Sequence, residues 1–224
     1  MVVIIRNKLS VAFNIVIFSL VTFAYNILIC LHMDALIENI KTSIPLSPAD
    51  ETIIGNLFHQ KNISRNEHLL EAGEVCRRLF FIEKGLVRYY LANNDEEQTN
   101  YFNKEGEWVC DYPSFLPQLP AAVSIQALED TVAWTISYHD LQAFYREVEH
   151  GERFGRLGIE QVFISIIRQI TSLYTDRPET RYEKFIQAYA DIAQRIPQYY
   201  IASYVGVKPQ SLSRIRKRLL PPRY

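Results

Sequence analysis

The chain has 224 residues, of which 48% are hydrophobic and 22% charged, and its formal net charge is −1. A chain of this length and composition can bury a sizeable core, which excludes an intrinsically disordered or low-complexity protein. The three cysteines, Cys30, Cys76 and Cys110, form no Cys-X-X-Cys pair. We therefore expect reduced, mainly buried thiols, without a structural zinc site, an iron–sulfur cluster or any other cofactor.

The N-terminal segment, residues 1–32, is hydrophobic. Residues 9–31 carry no charge and follow Arg6 and Lys8, which is typical of a transmembrane helix or a signal sequence. Three interpretations are open: translated sequence upstream of a natural start at Met33, a membrane tether, or a buried helix. We expect the first, and with it a cytoplasmic protein.

Residues 33–150 change from a helical to a β-type pattern. Ser47-Pro48 followed by Asp50 is a helix-start signal within the helical stretch 33–57. After Lys61 the apolar residues come in short runs separated by turn residues, which favours a small barrel or sandwich. The predicted strands are residues 68–74, 79–82, 86–91, 99–102, 108–109, 123–128 and 131–136.

The stretch 151–174 contains no proline, and its apolar residues recur every three or four positions. Ile159, Ile166 and Leu173 are seven residues apart, with Val162 at an intervening heptad position. This pattern predicts a long helix that covers the barrel on one side and a partner helix on another. A helix that only packs on its own domain is the alternative. The residues assigned to the dimer contact are Ile159, Val162, Phe163, Ile166, Ile170 and Leu173.

A proline break precedes the C-terminal region. Asp176-Arg177-Pro178 interrupts the helical pattern and marks a predicted domain boundary, after which residues 181–195 form a further predicted amphipathic helix. Residues 198–219 meet the demands of a helix-turn-helix. A small residue, Ala202, stands where the helices cross, and a glycine, Gly206, follows four positions later in the turn. The apolar residues predicted to join the two helices are Ile201, Val205, Val207, Leu212 and Ile215.

The same region is basic. Residues 192–224 contain no Asp or Glu but seven Lys and Arg residues, which indicates a polyanion bound at one place. In a helix-turn-helix the second helix, here starting at Pro209, enters the major groove of DNA and reads base edges with its early residues. The predicted base-reading residues are Lys208, Gln210, Ser211 and Arg214, and the predicted phosphate contacts are Arg216, Lys217 and Arg218.

Beyond the N-terminal segment, the sequence resembles the Crp–Fnr family of transcription regulators. The resemblance depends on the spacing of glycines in the β-region and on the helix-turn-helix. The segments that carry it are Leu69-Leu70-Glu71-Ala72-Gly73-Glu74, Leu79-Phe80-Phe81-Ile82-Glu83-Lys84-Gly85, Tyr101-Phe102 with Gly106-Glu107-Trp108, and residues 201–218.

This resemblance implies an α+β chain with three parts beyond the N-terminal segment. Residues 33–150 would form a cyclic-nucleotide-binding-type β-barrel, residues 151–176 a dimerisation helix, and residues 177–224 a helix-turn-helix domain. Because only five residues follow Leu219, the usual wing is expected to be reduced to strands around Arg195-Ile196.

The sequence departs from the family pattern at the ligand site. Members that bind cyclic AMP hold its ribose with a Gly-Glu-Leu segment and its phosphate with an Arg-Ser or Arg-Thr pair. This chain has Cys110-Asp111-Tyr112 and Ala121-Ala122 at those places. Burying the cyclic phosphate without a cation would be costly, so we expect an effector other than cyclic AMP, of unknown identity, or none. The residues assigned to this degenerate pocket are Arg88, Asp111, Tyr112, Ala121 and Ala122.

Together these features predict a non-enzymatic, sequence-specific DNA-binding regulator. The resemblance implies a homodimer on palindromic double-stranded DNA, with RNA polymerase as a further candidate partner. The alternative from another class is a ligand-binding or protein-interaction module, with or without a membrane tether, that has lost DNA binding.

Overall fold

A computed structural model describes residues 33–93 and 96–219 of the chain. The predictions for residues 1–32 therefore lie outside the described residues, and no helix among the described ones is long and apolar enough to cross a bilayer. The helices are α1 (Asp34–Lys41), α2 (Pro48–Leu57), α3 (Tyr112–Phe115), α4 (Tyr138–Glu147), α5 (Gly151–Thr175), α6 (Pro178–Ala188), α7 (Gln198–Val205) and α8 (Pro209–Leu219). The strands are β1 (His59–Ile63), β2 (His68–Leu70), β3 (Arg78–Lys84), β4 (Leu86–Asn93), β5 (Glu96–Lys104), β6 (Trp108–Val109), β7 (Ser124–Ala127) and β8 (Thr131–Ser137).

The strands form two four-stranded antiparallel sheets, in the orders β1-β8-β3-β6 and β2-β7-β4-β5. Within the described ranges no strand pairing joins the two sheets. Of the two predicted arrangements, barrel or sandwich, the β-domain is therefore a sandwich, and it is called the roll below. Strands occur in all seven predicted segments, although the first, predicted for residues 68–74, ends at Leu70. β1 was missed because four of its five residues are exposed and only Ile63 is buried, so no apolar alternation marks it.

The core of the roll combines residues of both sheets with α1, α2 and α4. Phe81 and Trp134, 1% and 4% exposed, stand opposite each other on the paired strands β3 and β8. The predicted helix start at Ser47 is confirmed. Its hydroxyl accepts a hydrogen bond from the Asp50 N–H at 3.2 Å, and the Asp50 carboxylate accepts one from the Ser47 N–H at 2.9 Å. This reciprocal cap fixes where α2 begins.

The long helix predicted at residues 151–174 is confirmed as α5, but its exposed apolar stripe differs from the predicted one. Val162 is half-buried, and Gln169, seven residues further along the same face, donates its Nε2 to the Asn100 carbonyl on β5 at 2.5 Å. That face is therefore turned towards the roll, while Phe163 is 64% exposed. The exposed apolar residues at alternating steps of four and three, called the α5 stripe, are Ile159, Phe163, Ile166, Ile170 and Leu173.

The break at Asp176-Arg177-Pro178 is confirmed, because α5 ends at Thr175 and α6 begins at Pro178. The helix predicted for residues 181–195 is too long, since α6 ends at Ala188 and hydrogen-bonded turns follow. These turns bury Ile192 and Ile196 in a second hydrophobic cluster.

No strand occurs between residues 178 and 219, so the wing expected around Arg195-Ile196 is absent from the described part of the chain. Instead of pairing in a strand, the backbone there closes a turn, with the Arg195 N–H donating to the Ile192 carbonyl at 2.8 Å. Residues 178–219, called the C-terminal unit below, are therefore entirely helices and turns.

Candidate nucleic-acid interface and the roll interior

Helices α7 and α8 are joined by a tight turn centred on Gly206. Its φ and ψ are 73° and 40°, in the left-handed region that favours glycine. The Val207 N–H donates to the Ala202 carbonyl at 2.9 Å, and Ala202 is fully buried. The small residue and the glycine thus occupy the positions that the sequence pattern required. The apolar residues between the helices are all buried or half-buried: Ile201, Val205, Val207, Leu212 and Ile215.

A cation that the sequence did not single out ties this turn to the preceding helix. Arg181 on α6 donates its Nε to the Val205 carbonyl at 2.7 Å and its Nη1 to the Asp176 carbonyl at 2.8 Å. It therefore satisfies the last carbonyl of α7, which has no partner within the helix. A β-carbon at Gly206 would lie 3.4 Å from the Arg181 guanidinium, so the turn and its arginine are closely fitted.

The outer side of α8 carries the predicted DNA contacts. Among the seven predicted DNA-contacting residues, Ser211 is half-buried and the other six are exposed. Arg216 donates to the side-chain oxygen of Gln198 at 2.5 Å, and Arg218 pairs with Glu179 at 3.2 Å. Both contacts are on the surface, where such contacts contribute little free energy, so both guanidinium groups can turn to a phosphate. The residues of this surface, called the α8 face, are Lys208, Gln210, Ser211, Arg214, Arg216, Lys217 and Arg218.

The C-terminal unit is docked on the roll around Arg88 of β4. This side chain is 1% exposed, and its guanidinium lies between the rings of Tyr90 and Tyr200, at 4.2 and 3.7 Å from their centroids. It donates two hydrogen bonds to Gln126, at 2.7 and 3.0 Å, and pairs with Glu97 at 2.5 Å. Tyr200 belongs to α7, so the buried cation joins the two parts of the chain.

A second contact between the roll and the C-terminal unit is aromatic. Phe102 of β5 is fully buried and meets the rings of Phe185, Tyr189 and Tyr204, with centroids 5.7 to 6.1 Å away. The hydroxyl of Ser203 accepts the Thr99 N–H at 2.8 Å. Together with the Arg88 contact, this packing makes the β4–β5 face part of the C-terminal core.

Ion pairs surround this docking surface. Arg195 binds the Glu105 carboxylate through both terminal nitrogens, at 2.8 and 3.1 Å, and also binds Glu129. Lys104 pairs with Asp191 at 2.5 Å. Burial alone would raise the pKa of Glu105, but hydrogen bonds from Arg195 and from the Gly85 N–H lower it to about 2. Arg195 thus binds the C-terminal unit to the roll and is separate from the α8 face.

Of the predicted pocket residues, Arg88 is set apart from the others. Asp111 precedes α3 and is buried, Tyr112 is half-buried, and Ala121 is buried with its N–H bonded to the Glu74 carbonyl at 2.8 Å, whereas Ala122 is exposed. Neighbouring strand residues point to opposite faces. Arg88 under α7 therefore stands on the other face of β4 from Tyr89, which is buried beside Cys110.

The roll interior at this point is filled by protein side chains. The Tyr89 hydroxyl accepts a hydrogen bond from the Cys110 N–H at 2.9 Å, and burial raises the pKa of Tyr89 well above its ordinary value. Burial also raises the pKa of Asp111. An aromatic ring and a carboxyl group here make a poor environment for a phosphate, which agrees with the departure seen in the sequence.

Comparisons with known proteins identify the fold. Residues 60–148 match the family model of the cyclic nucleotide-binding domain. FixK2 from Bradyrhizobium japonicum is similar, with a TM-score of 0.65 and 15% identity over 73% of this chain and 84% of that one. The c-di-GMP-responsive global regulator CLP of Xanthomonas campestris has a TM-score of 0.62 and 15% identity, over 80% and 96% of the two chains.

A protein from Eubacterium rectale assigned to the Crp/Fnr family of transcriptional regulators gives a TM-score of 0.61 and 16% identity, over 77% of this chain and 83% of that one. No curated protein is significantly similar in sequence. The fold of the chain is therefore that of the Crp–Fnr regulators, with the match to the cyclic nucleotide-binding domain at residues 60–148, and at the level of the fold the resemblance drawn from the sequence is confirmed.

Proposed function

From this regulator fold we propose that the protein is a sequence-specific transcription regulator of the Crp–Fnr type, acting as a homodimer on a palindromic operator. The observation that carries the proposal is α8, which buries Leu212 and Ile215 and exposes a cationic surface after a glycine turn. A helix held in this way can enter the major groove without disturbing its own core. Such a regulator acts in the cytoplasm, and RNA polymerase is a candidate partner there.

The α8 face divides into two roles. Gln210 and Arg214 lie in the first half of the helix, where a side chain can meet base edges, and they suit adenine and guanine respectively. Lys208 and Ser211 flank them. Arg216, Lys217 and Arg218 lie further along and suit phosphates, which supply affinity and salt dependence without sequence choice.

The α5 stripe supports the dimer. Its five apolar side chains are between 38% and 64% exposed in the single chain, and their alternating spacing is that of a two-stranded helix packing. A second copy with the same stripe would cover them by two-fold symmetry. The half-sites of the operator would then lie about one helical turn of DNA, roughly 34–36 Å, apart.

The test begins with selection of bound duplexes from a random DNA pool, for which we expect a two-fold symmetric site. Affinity is then measured on that site and on single-base variants over a range of salt concentrations. Arg214→Ala should lose about 1–3 kcal/mol on the selected site and discriminate less at one base pair. Lys217→Ala should weaken all sequences alike and reduce the salt slope by about 1.

Arg65→Ala is the matched control, because Arg65 is exposed on a turn of the roll, and its affinity should stay unchanged. Equal losses for the Arg214 and Lys217 variants on every sequence contradict the two roles. If the unmodified protein binds no DNA and is not retained on heparin, the proposal fails in favour of a protein-interaction or ligand-binding module.

We also propose that cyclic AMP is not the effector. Ala121 and Ala122 offer no side-chain donor where the phosphate would lie. The Cys110 N–H already donates a hydrogen bond to the Tyr89 hydroxyl, so it is not free to bind a ligand. Titration calorimetry with cyclic AMP should give no saturable heat. Tight binding there would show that the roll rearranges to admit a nucleotide.

A further inference from the structure

The roll interior holds two cysteines that the proposed function does not use. Cys76 lies just before β3 and Cys110 directly after β6, and they are 3% and 7% exposed. β3 and β6 are antiparallel neighbours, with Phe80 opposite Val109. The start of one strand therefore lies beside the end of the other, and the two cysteines stand at the same end of the sheet.

Hydrogen bonds hold both backbones in place around α3. The Cys76 N–H donates to the Ser114 hydroxyl at 2.8 Å, and the Ser114 N–H donates to the Asp111 carbonyl at 3.0 Å. The Gln118 side chain donates to the Cys76 carbonyl at 3.2 Å. Cys76 is thus tied to the helix that begins two residues after Cys110, so the two backbone segments keep their relative position.

The two thiols differ in acidity. Hydrogen bonding by the Cys110 side chain lowers the pKa of Cys76 to about 7, against the opposing effect of burial. Burial raises the pKa of Cys110 well above its ordinary value. Asp111 is the other titratable group that acts on both thiols, and Tyr89, Tyr112 and Tyr145 interact with Cys110; none of these is a cation. Cys76 is therefore the more acidic thiol of the pair, and Cys110 is the less acidic one.

We propose that Cys76 and Cys110 are a redox-modification site that closes to an intramolecular disulfide on exposure to hydrogen peroxide. The Cys76 thiolate attacks the O–O bond and becomes a sulfenic acid, releasing hydroxide that is protonated to water. The Cys110 sulfur then attacks the Cys76 sulfur, and the sulfenic oxygen leaves as a second water. Two thiols and one peroxide thus give one disulfide and two waters, and an external dithiol reverses the reaction.

The crosslink would fix the start of β3 to the segment that leads into α3. Because it closes a loop in the unfolded chain, it should also raise the Tm of the oxidised protein. Neither effect depends on DNA binding, so failure of this inference leaves the proposed function untouched.

The experiment uses the full chain with Cys30→Ser, so that only the two roll cysteines remain. After peroxide treatment of the folded protein at neutral pH, free thiols are counted in denaturant and peptides are examined by mass spectrometry. We expect both thiols to disappear together, a linked peptide pair lighter by two hydrogen atoms, and full recovery with dithiothreitol. The rate should rise as the pH increases through 7.

Two variants make the roles separable. In Cys110→Ser the sulfenic acid on Cys76 should persist and react with dimedone, whereas in Cys76→Ser the remaining thiol should oxidise far more slowly. The inference is overturned if both thiols of the folded protein survive peroxide that consumes the exposed thiol of added glutathione. It is also overturned if the crosslinks join different chains. Because the first measurement needs neither variant, loss of folding in either one leaves the test intact.

Discussion

The docking of the C-terminal unit on the roll can be tested at the Arg88–Tyr200 contact. A single substitution of Arg88 is hard to interpret. Arg88→Met removes hydrogen bonds to Gln126 and Glu97, yet it also removes a buried Nη1 that makes no hydrogen bond within the described residues. The two effects oppose each other. A double-mutant cycle that combines Arg88→Met with Tyr200→Leu cancels both effects of the Arg88 substitution. It leaves the interaction energy between the Arg88 guanidinium and the Tyr200 ring.

The expected coupling energy follows from burial. A cation over an aromatic ring contributes about 0.5–1 kcal/mol at exposed sites and about 2 kcal/mol when desolvated. The Arg88 side chain is 1% exposed, and its guanidinium carbon lies 3.7 Å from the Tyr200 ring centroid. Tyr200 itself is half-buried. We therefore expect a coupling of about 1–2 kcal/mol in the free energy of unfolding, measured by urea denaturation of the four proteins.

The control cycle pairs Arg88→Met with Tyr174→Leu, because Tyr174 is 87% exposed at the end of α5. Distant sites add within about 0.3–0.5 kcal/mol, so this cycle should give no coupling beyond that error. If the coupling energy of the Arg88–Tyr200 cycle is also no larger than this error, α7 is not held on β4 in solution and the inferred docking is wrong.

Three further predictions concern the dimer, the turn and the ion pairs. Phe163→Glu places a charge in the α5 stripe and should convert a dimer to monomers in sedimentation velocity, whereas Arg153→Glu on an exposed position should not; a persisting dimer would place the interface elsewhere. Gly206→Ala puts a side chain at a φ of 73° and should lower stability by about 1–2 kcal/mol; an unchanged Tm would contradict the left-handed turn. The pKa of Glu105 is lowered from 4.5 to about 2 in the folded protein, so its pairing stabilises above about pH 4.5 and is lost as the pH falls towards 2. Arg195→Met should therefore destabilise more at pH 7 than at pH 3, and an equal loss at both would exclude the pairing as the cause.

The parts of the fold that depend on local chemistry were predictable from single residues. The Ser47 cap, the proline break before α6 and the Gly206 turn were all predictable, because each needs a particular residue type at one backbone position. The burial of Ile201, Leu212 and their neighbours followed from helical periodicity. The family resemblance then supplied the order of the domains, which no local pattern contains.

Contacts between distant segments were not predictable in the same way. Alternation along β4 puts Arg88 and Tyr90 on one face, but it does not say whether that face meets a ligand or another part of the chain. The answer depends on Tyr200, which no spacing rule connects to β4. Similarly, both Val162 and Phe163 fit an apolar stripe at helical spacing, and only the packing of α5 on the roll decides between them.

For the proposed regulator, the two contacts of the C-terminal unit restrict how a signal could change DNA affinity. Phe102 and Arg88 both anchor the unit to the β4–β5 face, whereas the α5 stripe is the candidate for holding two chains together. In a dimer, the separation between the two α8 helices would thus depend on the position and orientation of the β4–β5 face relative to α5. A ligand or a modification of the roll changes DNA affinity only if it alters the relative free energies of two such arrangements. A signal that leaves the β4–β5 face in place should therefore leave DNA affinity unchanged, even if it binds the roll tightly.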